Sequence, residues 1–132
     1  MNREILFRGK RDGDGEWVMG DRAGYSDYVM IWDLIDKGVG YLVDPTTVGQ
    51  FTGLADKNGV KIFEGDILYC EARLDKAEMY VVFEQGQFRM VLCDKFKEYE
   101  TGRGYYDINS FQKTVIGNIH DTPDLVKEEE SE

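Results

Sequence analysis

Apolar residues along this chain alternate with polar ones far more often than they return at helical spacing. Residues 4–8 set Ile5 and Phe7 on one face of a short strand, and Trp17-Val18-Met19 returns as its partner. Between them, Asp12-Gly13 and Asp14-Gly15 supply positions that accept positive φ, so a hairpin is expected. The aromatic and β-branched run 24–32 predicts a third strand, followed by a helical turn or loop over 33–38 and an extended run at 41–43. Asp44 before Pro45 is an N-cap residue followed by proline, an arrangement that opens a short helix or a type I turn. Residues 47–52 read as a strand bent at Gly49. Asp56-Lys57-Asn58-Gly59 predicts a tight turn, and Glu64-Gly65-Asp66 a bend between the apolar positions Val60 and Ile62 and the run Ile67-Leu68-Tyr69. The clearest later hairpin joins 79–84 to 87–93 across Gln85-Gly86. A polar loop follows over 94–104, then strands at Tyr105-Tyr106 and 115–119 and a helical turn near 122–125. No stripe of helical period runs beyond about three turns, so the fold class is mainly β with little helix.

Composition supports this and narrows the class of molecule. The chain has 132 residues, of which 42% are hydrophobic and 13% aromatic, enough for a core and too many for disorder. Fifteen glycines against two prolines suit a sheet protein with many turns. The net charge is -10, and Glu128, Glu129, Glu130 and Glu132 supply four of those charges in a tail that reads as solvated. An acidic body disfavours non-specific duplex binding, which depends on Lys and Arg neutralising phosphates. Cys70 and Cys93 lack metal-ligand spacing and read as reduced thiols of a cytoplasmic protein. Met1-Asn2-Arg3-Glu4 opens no apolar leader, and no later run approaches a membrane span.

Few candidate chemistries survive inspection. Gly-x-Gly at 13/15, 38/40 and 102/104 lacks the third glycine of a dinucleotide loop, and Gly9-Lys10 lacks the rest of a phosphate loop. Asp12-Gly13-Asp14-Gly15-Glu16 resembles the start of a calcium loop, but Ala23 stands where a bidentate glutamate would close it, and a hairpin turn accounts for the segment. His120 is the single histidine and reads as a surface residue near the chain's end, so neither a metal site nor a cofactor is expected. Glu64 and Asp66 share one strand face at the spacing of a metal-dependent hydrolase pair, although a turn in which Asp66 caps a backbone N–H explains them better. Two basic clusters remain as candidate nucleic-acid contacts. One is Arg8, Lys10 and Arg11; the other is Lys95, Lys97 and Arg103, interleaved with Phe96, Tyr99, Tyr105 and Tyr106.

Several segments taken together resemble the YopX family of phage and prophage proteins. They begin with Arg3-Glu4-Ile5, Phe7-Arg8, Trp17-Val18 and Gly20-Asp21. They continue through Val43-Asp44-Pro45, Val48-Gly49-Gln50-Phe51-Thr52-Gly53-Leu54, Asp56-Lys57-Asn58-Gly59 and Ile62-Phe63-Glu64-Gly65-Asp66-Ile67, and end at Val115-Ile116-Gly117-Asn118-Ile119. The resemblance implies a small phage-encoded cytoplasmic protein, mainly β, with a bent-sheet or SH3-like barrel in its C-terminal half and a hairpin region before it. It implies one YopX-like domain over 1–127, with an N-terminal β region at 1–53, a barrel-like region at 54–127 and the acidic tail at 128–132. Gly49, Gly65, Gly86 and Gly117 are the expected bends. No catalytic residue comes with it.

The expected role is therefore a non-enzymatic interaction or regulatory module that binds a host or phage protein, with self-association as a further option. The alternatives are a single-stranded nucleic-acid binder using the basic clusters and a metal-dependent hydrolase or nuclease using Glu64 and Asp66 with His120. Segments 22–40 and 94–108 match nothing in the family pattern and are the expected working surfaces.

Overall fold

A computed structural model describes residues 5–72, 75–93, 105–109 and 111–125. It divides into two compact units, Met1–Gly53 and Leu54–Glu132. Both are built from antiparallel strands, and among the described residues helix is confined to two single turns.

In the first unit β1 (Phe7–Lys10), β2 (Trp17–Gly24), β3 (Val29–Asp33), β4 (Gly40–Val43) and β5 (Gly49–Ala55) assemble in the order β4-β3-β2-β1-β5. The first hairpin forms as the turn residues require, with Lys10 opposite Trp17 and Phe7 opposite Gly20. Leu6, rather than the exposed Ile5, is the residue buried at the start, and its carbonyl accepts from Phe51 N at 2.8 Å. β4 curls back onto the end of β1. Arg11 bridges Val43, Asp12 N donates to the Leu42 carbonyl, and Asp44 N donates to the Lys10 carbonyl. The concave side of this curl packs Val18, Val29, Ile31 and Val43 with Phe7, Tyr41 and Val48.

Two sequence expectations change here. The run 24–32 is not one strand: β2 continues to Gly24, and Tyr25 N meets the Tyr28 carbonyl at 2.8 Å to form a hairpin turn. Ser26-Asp27, a weak turn signal between β-favouring tyrosines, carries that reversal. Gly49 lies regularly opposite Arg8, while the positive φ of 90° within β5 falls at Gly53. The Asp44-Pro45 signal gives a single 3₁₀ turn, Pro45–Thr47, with Thr46 N donating to Asp44 Oδ1 at 3.0 Å. Gly20 is required by packing: a Cβ there would stand 1.7 Å from the Trp32 carbonyl oxygen.

In the second unit β6 (Lys61–Phe63) follows β5 in strand order, and β7 (Asp66–Ala72), β8 (Asp75–Glu84), β9 (Gln87–Leu92), β10 (Tyr105–Asp107) and β11 (Gln112–Asn118) form a sheet ordered β10-β9-β8-β7-β11. One face of that sheet buries Leu68, Cys70, Met79, Val81 and Met90 against Ile62. The sheet is bent, as expected, by a register shift between Val115 and Gly117 in β11. It is open rather than a closed barrel, with β10 and β11 at its edges among the described strands. The Asp56–Gly59 turn covers the outer edge of β11: Lys57 N donates to the Lys113 carbonyl at 3.0 Å, and Val115 N donates to Asp56 Oδ2 at 2.9 Å.

Candidate functional site

Alternation along β1 puts Arg8 and Lys10 on the sheet's convex face and directs Arg11 to the opposite side. Both Arg8 and Lys10 pack on Trp17, with the guanidinium carbon of Arg8 4.6 Å and Lys10 Nζ 5.7 Å from the ring centroid. Arg11 stands over Tyr41 at 4.4 Å and forms an ion pair with Asp14. Asp14 Oδ1 also accepts from Glu16 N at 3.1 Å, and Arg11 first, then that amide, holds the carboxyl down at about 2. The acidic loop is thus a turn closed by an arginine, and the basic triplet splits between two faces. Lys95, Lys97 and Arg103 lie outside the described residues, as does most of the expected surface at 94–108.

The convex face of the first unit continues into apolar residues. Register pairs Arg8 with Met19, Asp21 with Trp32, Ala23 with Met30, and Met30 with Leu42, so these side chains share that face. Met19, Trp32 and Leu42 are 42%, 39% and 47% exposed. Trp32 and Met30 lie across Gly40, where a Cβ would come within about 3 Å of both. At one end of the face the β3–β4 connection presents Leu34 and Ile35, the latter 91% exposed. Asp33 Oδ1 holds this connection by accepting from Ile35 N at 2.9 Å and Asp36 N at 3.3 Å. At the other end Tyr25 and Tyr28 stack with centroids 4.7 Å apart. The sequence marked 22–40 only by its silence. Met19 and Leu42 gave no signal, because a strand's exposed face cannot be told from its buried one by composition alone.

Of the candidate pair Glu64 and Asp66, Asp66 has a structural task. Gly65 adopts φ 92°, Asp66 is 1% exposed, and Asp66 Oδ2 accepts from Phe63 N at 2.8 Å. Its carboxylate therefore closes a turn. Ile119 N donates to the Gly65 carbonyl at 2.9 Å, which brings the segment before His120 against this turn. The His120 amide itself donates to Asn118 Oδ1 at 3.0 Å. Among the described residues, no group of three or more His, Cys, Asp or Glu side chains could hold a metal ion.

Asp56 is a second buried carboxylate with a structural task. Oδ1 accepts from Asn58 N at 2.8 Å and Val60 N at 2.9 Å, and Oδ2 accepts from Val115 N. Desolvation, the largest single influence, raises its pKa, but the amides of Val115, Val60 and Asn58 together outweigh it and leave the group below its ordinary value.

The second unit also holds a hollow of about 250 Å³ on the core face of its sheet. Cys70, Ala77, Met79, Leu92, Tyr106 and Phe111 line it together with Lys76. Cys70 is opposite both Ala77 and Lys113 in register, and burial pushes its thiol up to about 11. No spacing in the sequence announces this hollow, since four strands and a loop supply its lining.

The sequence model described as YopX protein matches residues 6–127. The chain belongs to the YopX family. The YopX match spans both units and includes the Asp56 and Asp66 turns. The fold is similar to that in the crystal structure of protein EF1440 from Enterococcus faecalis, with a TM-score of 0.57 and 23% identity. That likeness covers 96% of this chain and 100% of the other. No curated protein matches this YopX chain. Among the described residues, no helix is long and apolar enough to cross a membrane.

Proposed function

We propose that this YopX protein is a non-enzymatic interaction module, a phage accessory or regulatory protein of the host cytoplasm, whose working surface is the convex face of the first sheet. The observation that carries this reading is a concentration of exposed apolar side chains. Among the described residues eleven large hydrophobics are exposed, and Met19, Tyr25, Tyr28, Trp32, Leu34, Ile35 and Leu42 all belong to β2, β3, β4 and their connections. Apolar surface gathered this way marks recognition sites in soluble proteins, and Trp and Tyr are over-represented among residues that dominate binding energy. Arg8 and Lys10 border it, so the fitting partner is a protein segment with apolar anchors and acidic neighbours.

A photo-crosslinking amino acid at position 32 or 35, in protein made in phage-carrying cells, tests the reading. One recurrent protein adduct is expected at both positions and none with the label at Lys61. Met19→Lys combined with Leu42→Lys should abolish it. Adducts equal at all three positions, or none above background, would overturn the proposal.

Single-stranded nucleic acid is the second reading, because Arg8 and Lys10 share their face with Trp17 and Trp32. The orientation of Arg11 and the net charge of -10 weigh against it. Salt-sensitive binding of a labelled oligonucleotide, lost on Arg8→Ala and Lys10→Ala, would favour it over a protein partner.

A further inference from the structure

We propose that the hollow in the second unit is a binding site for a small aromatic acid, one ring carrying a carboxylate, with the ring above Ala77 and the acid group directed to Lys113. The inference is independent of the convex face, since every residue involved belongs to the second unit.

The hollow originates in one small side chain. Register pairs Leu68 with Met79, Cys70 with Ala77, Met79 with Leu92 and Met90 with Tyr106, which brings all of these onto the sheet's core face. Most of that face is filled by Ile62, Leu68, Val81 and Met90. Around Ala77 the row is a methyl group where its neighbours are long side chains, and Cys70, Met79, Leu92 and Phe111 contribute apolar lining. Tyr106 and Phe111 meet edge to face, with centroids 5.9 Å apart at 70°, and form an aromatic wall. A further flat ring extends such an array favourably.

Volume sets the size of the occupant. A dry apolar cavity of about 150 Å³ accepts benzene. The 250 Å³ here therefore fits one ring with a short substituent and is too small for a drug-sized molecule.

Charge sets the substituent. Lys113 faces the same side as Cys70, its register partner, and its Nζ donates to the Phe111 carbonyl at 3.0 Å. Cys70 lines the hollow, so its register partner Lys113 stands on the same face of the sheet beside it. Lys76 also lines it, but alternation along β8 turns its side chain toward the opposite face of the sheet, where Glu71 is its register partner, and among the described lining residues there is no carboxylate. A largely apolar hollow with a cation beside it and no acid among its described lining residues selects an anion with an apolar body.

Phenylacetate is a suitable probe, with phenylacetamide as its uncharged counterpart. NMR titration of the full chain should show saturable shifts of the Ala77 and Met79 methyl signals. A ligand of about ten heavy atoms with ordinary efficiency binds in the low millimolar range. Phenylacetamide should bind at least about fivefold more weakly, and Lys113→Met should remove that preference while leaving amide binding unchanged. Ala77→Phe should abolish both by filling the hollow. If Ala77→Phe fails to fold, the acid-to-amide comparison in the wild type and Lys113→Met decides. No saturable shift at these methyls, shifts elsewhere only, or equal affinity for acid and amide in the wild type would each overturn the proposal.

Discussion

Replacing Asp56 tests whether the most recognisable turn of the chain is a structural clamp. Its two oxygens do different work: Oδ1 organises the turn through Asn58 and Val60, and Oδ2 fastens that turn to β11 through Val115. Asp56→Ala removes all three acceptors from a residue that is 7% exposed. Asn58 and Val60 are exposed, so water replaces part of what they lose, whereas Val115 N is half-buried beside the bulge. With about 1–3 kcal/mol for each amide left poorly satisfied, the expected loss is about 3 kcal/mol. Asp56→Asn has one carbonyl oxygen; it keeps either the turn or the link to β11, and should lose about 1.5 kcal/mol. For a chain of this length these losses correspond to Tm decreases of about 12 and 6 °C.

The pH dependence follows from the same bonds. The folded pKa of Asp56 lies below its unfolded value of about 3.9, so its stabilisation is fully present above that value. It is lost as pH falls through the folded pKa. Urea melts followed by circular dichroism at neutral pH and at about pH 3 should therefore show the gap between wild type and Asp56→Asn closing in acid. Hydrogen exchange at the Val115 amide should accelerate in both variants, and the uncovered β11 edge should favour aggregation. An Asp56→Ala protein within about 0.5 kcal/mol of wild type, or a gap that ignores pH, would refute the clamp.

Three other outcomes are expected. Gly20→Ala drives a methyl group into the Trp32 carbonyl and should cost about 3 kcal/mol or more. Both tryptophans lie in the first unit, so fluorescence-monitored unfolding reports it directly, and a shift below about 1 kcal/mol would contradict the β2–β3 register. Asp66→Ala leaves the buried Phe63 amide without its carboxylate and should destabilise by about 1–3 kcal/mol in a thermal melt, while added Mg²⁺ or Mn²⁺ leaves the wild-type Tm unchanged; a metal-dependent rise would revive the acidic pair as a site. Native Cys70, its thiol raised to about 11, should react with iodoacetamide at pH 8 at least about a hundredfold more slowly than a peptide thiol, measured by mass spectrometry. Equal rates would show that the thiol is not buried as described.

The elements that local chemistry controls were legible in the residues. Asp44-Pro45 gives its 3₁₀ turn, Asp12 to Gly15 its hairpin, and Gln85-Gly86 the reversal between β8 and β9. The Glu64-Gly65-Asp66 bend is a turn for the expected reason, a carboxylate capping a backbone amide. The misread places are those where local preference and tertiary pairing disagree. Tyrosines at 25 and 28 favour strand, yet the pairing of β2 with β3 requires the chain to reverse between them. Three closely spaced basic residues suggested one patch, but strand alternation sends Arg11 to Tyr41 and Asp14 and leaves Arg8 and Lys10 around Trp17.

By itself, then, the sequence determined a mainly β chain, its turn chemistry and its YopX kinship, because dihedral preferences and alternating apolar positions act over a few residues. Only the tertiary structure decided which side of each strand met the core. That choice exposes Met19, Trp32 and Leu42 on one convex face, encloses the space above Ala77, and turns the Asp56 carboxylate into a cover for an edge fifty-nine residues away. Each of these depends on register between distant segments, where a shift of one residue would exchange the buried and exposed sides of a strand.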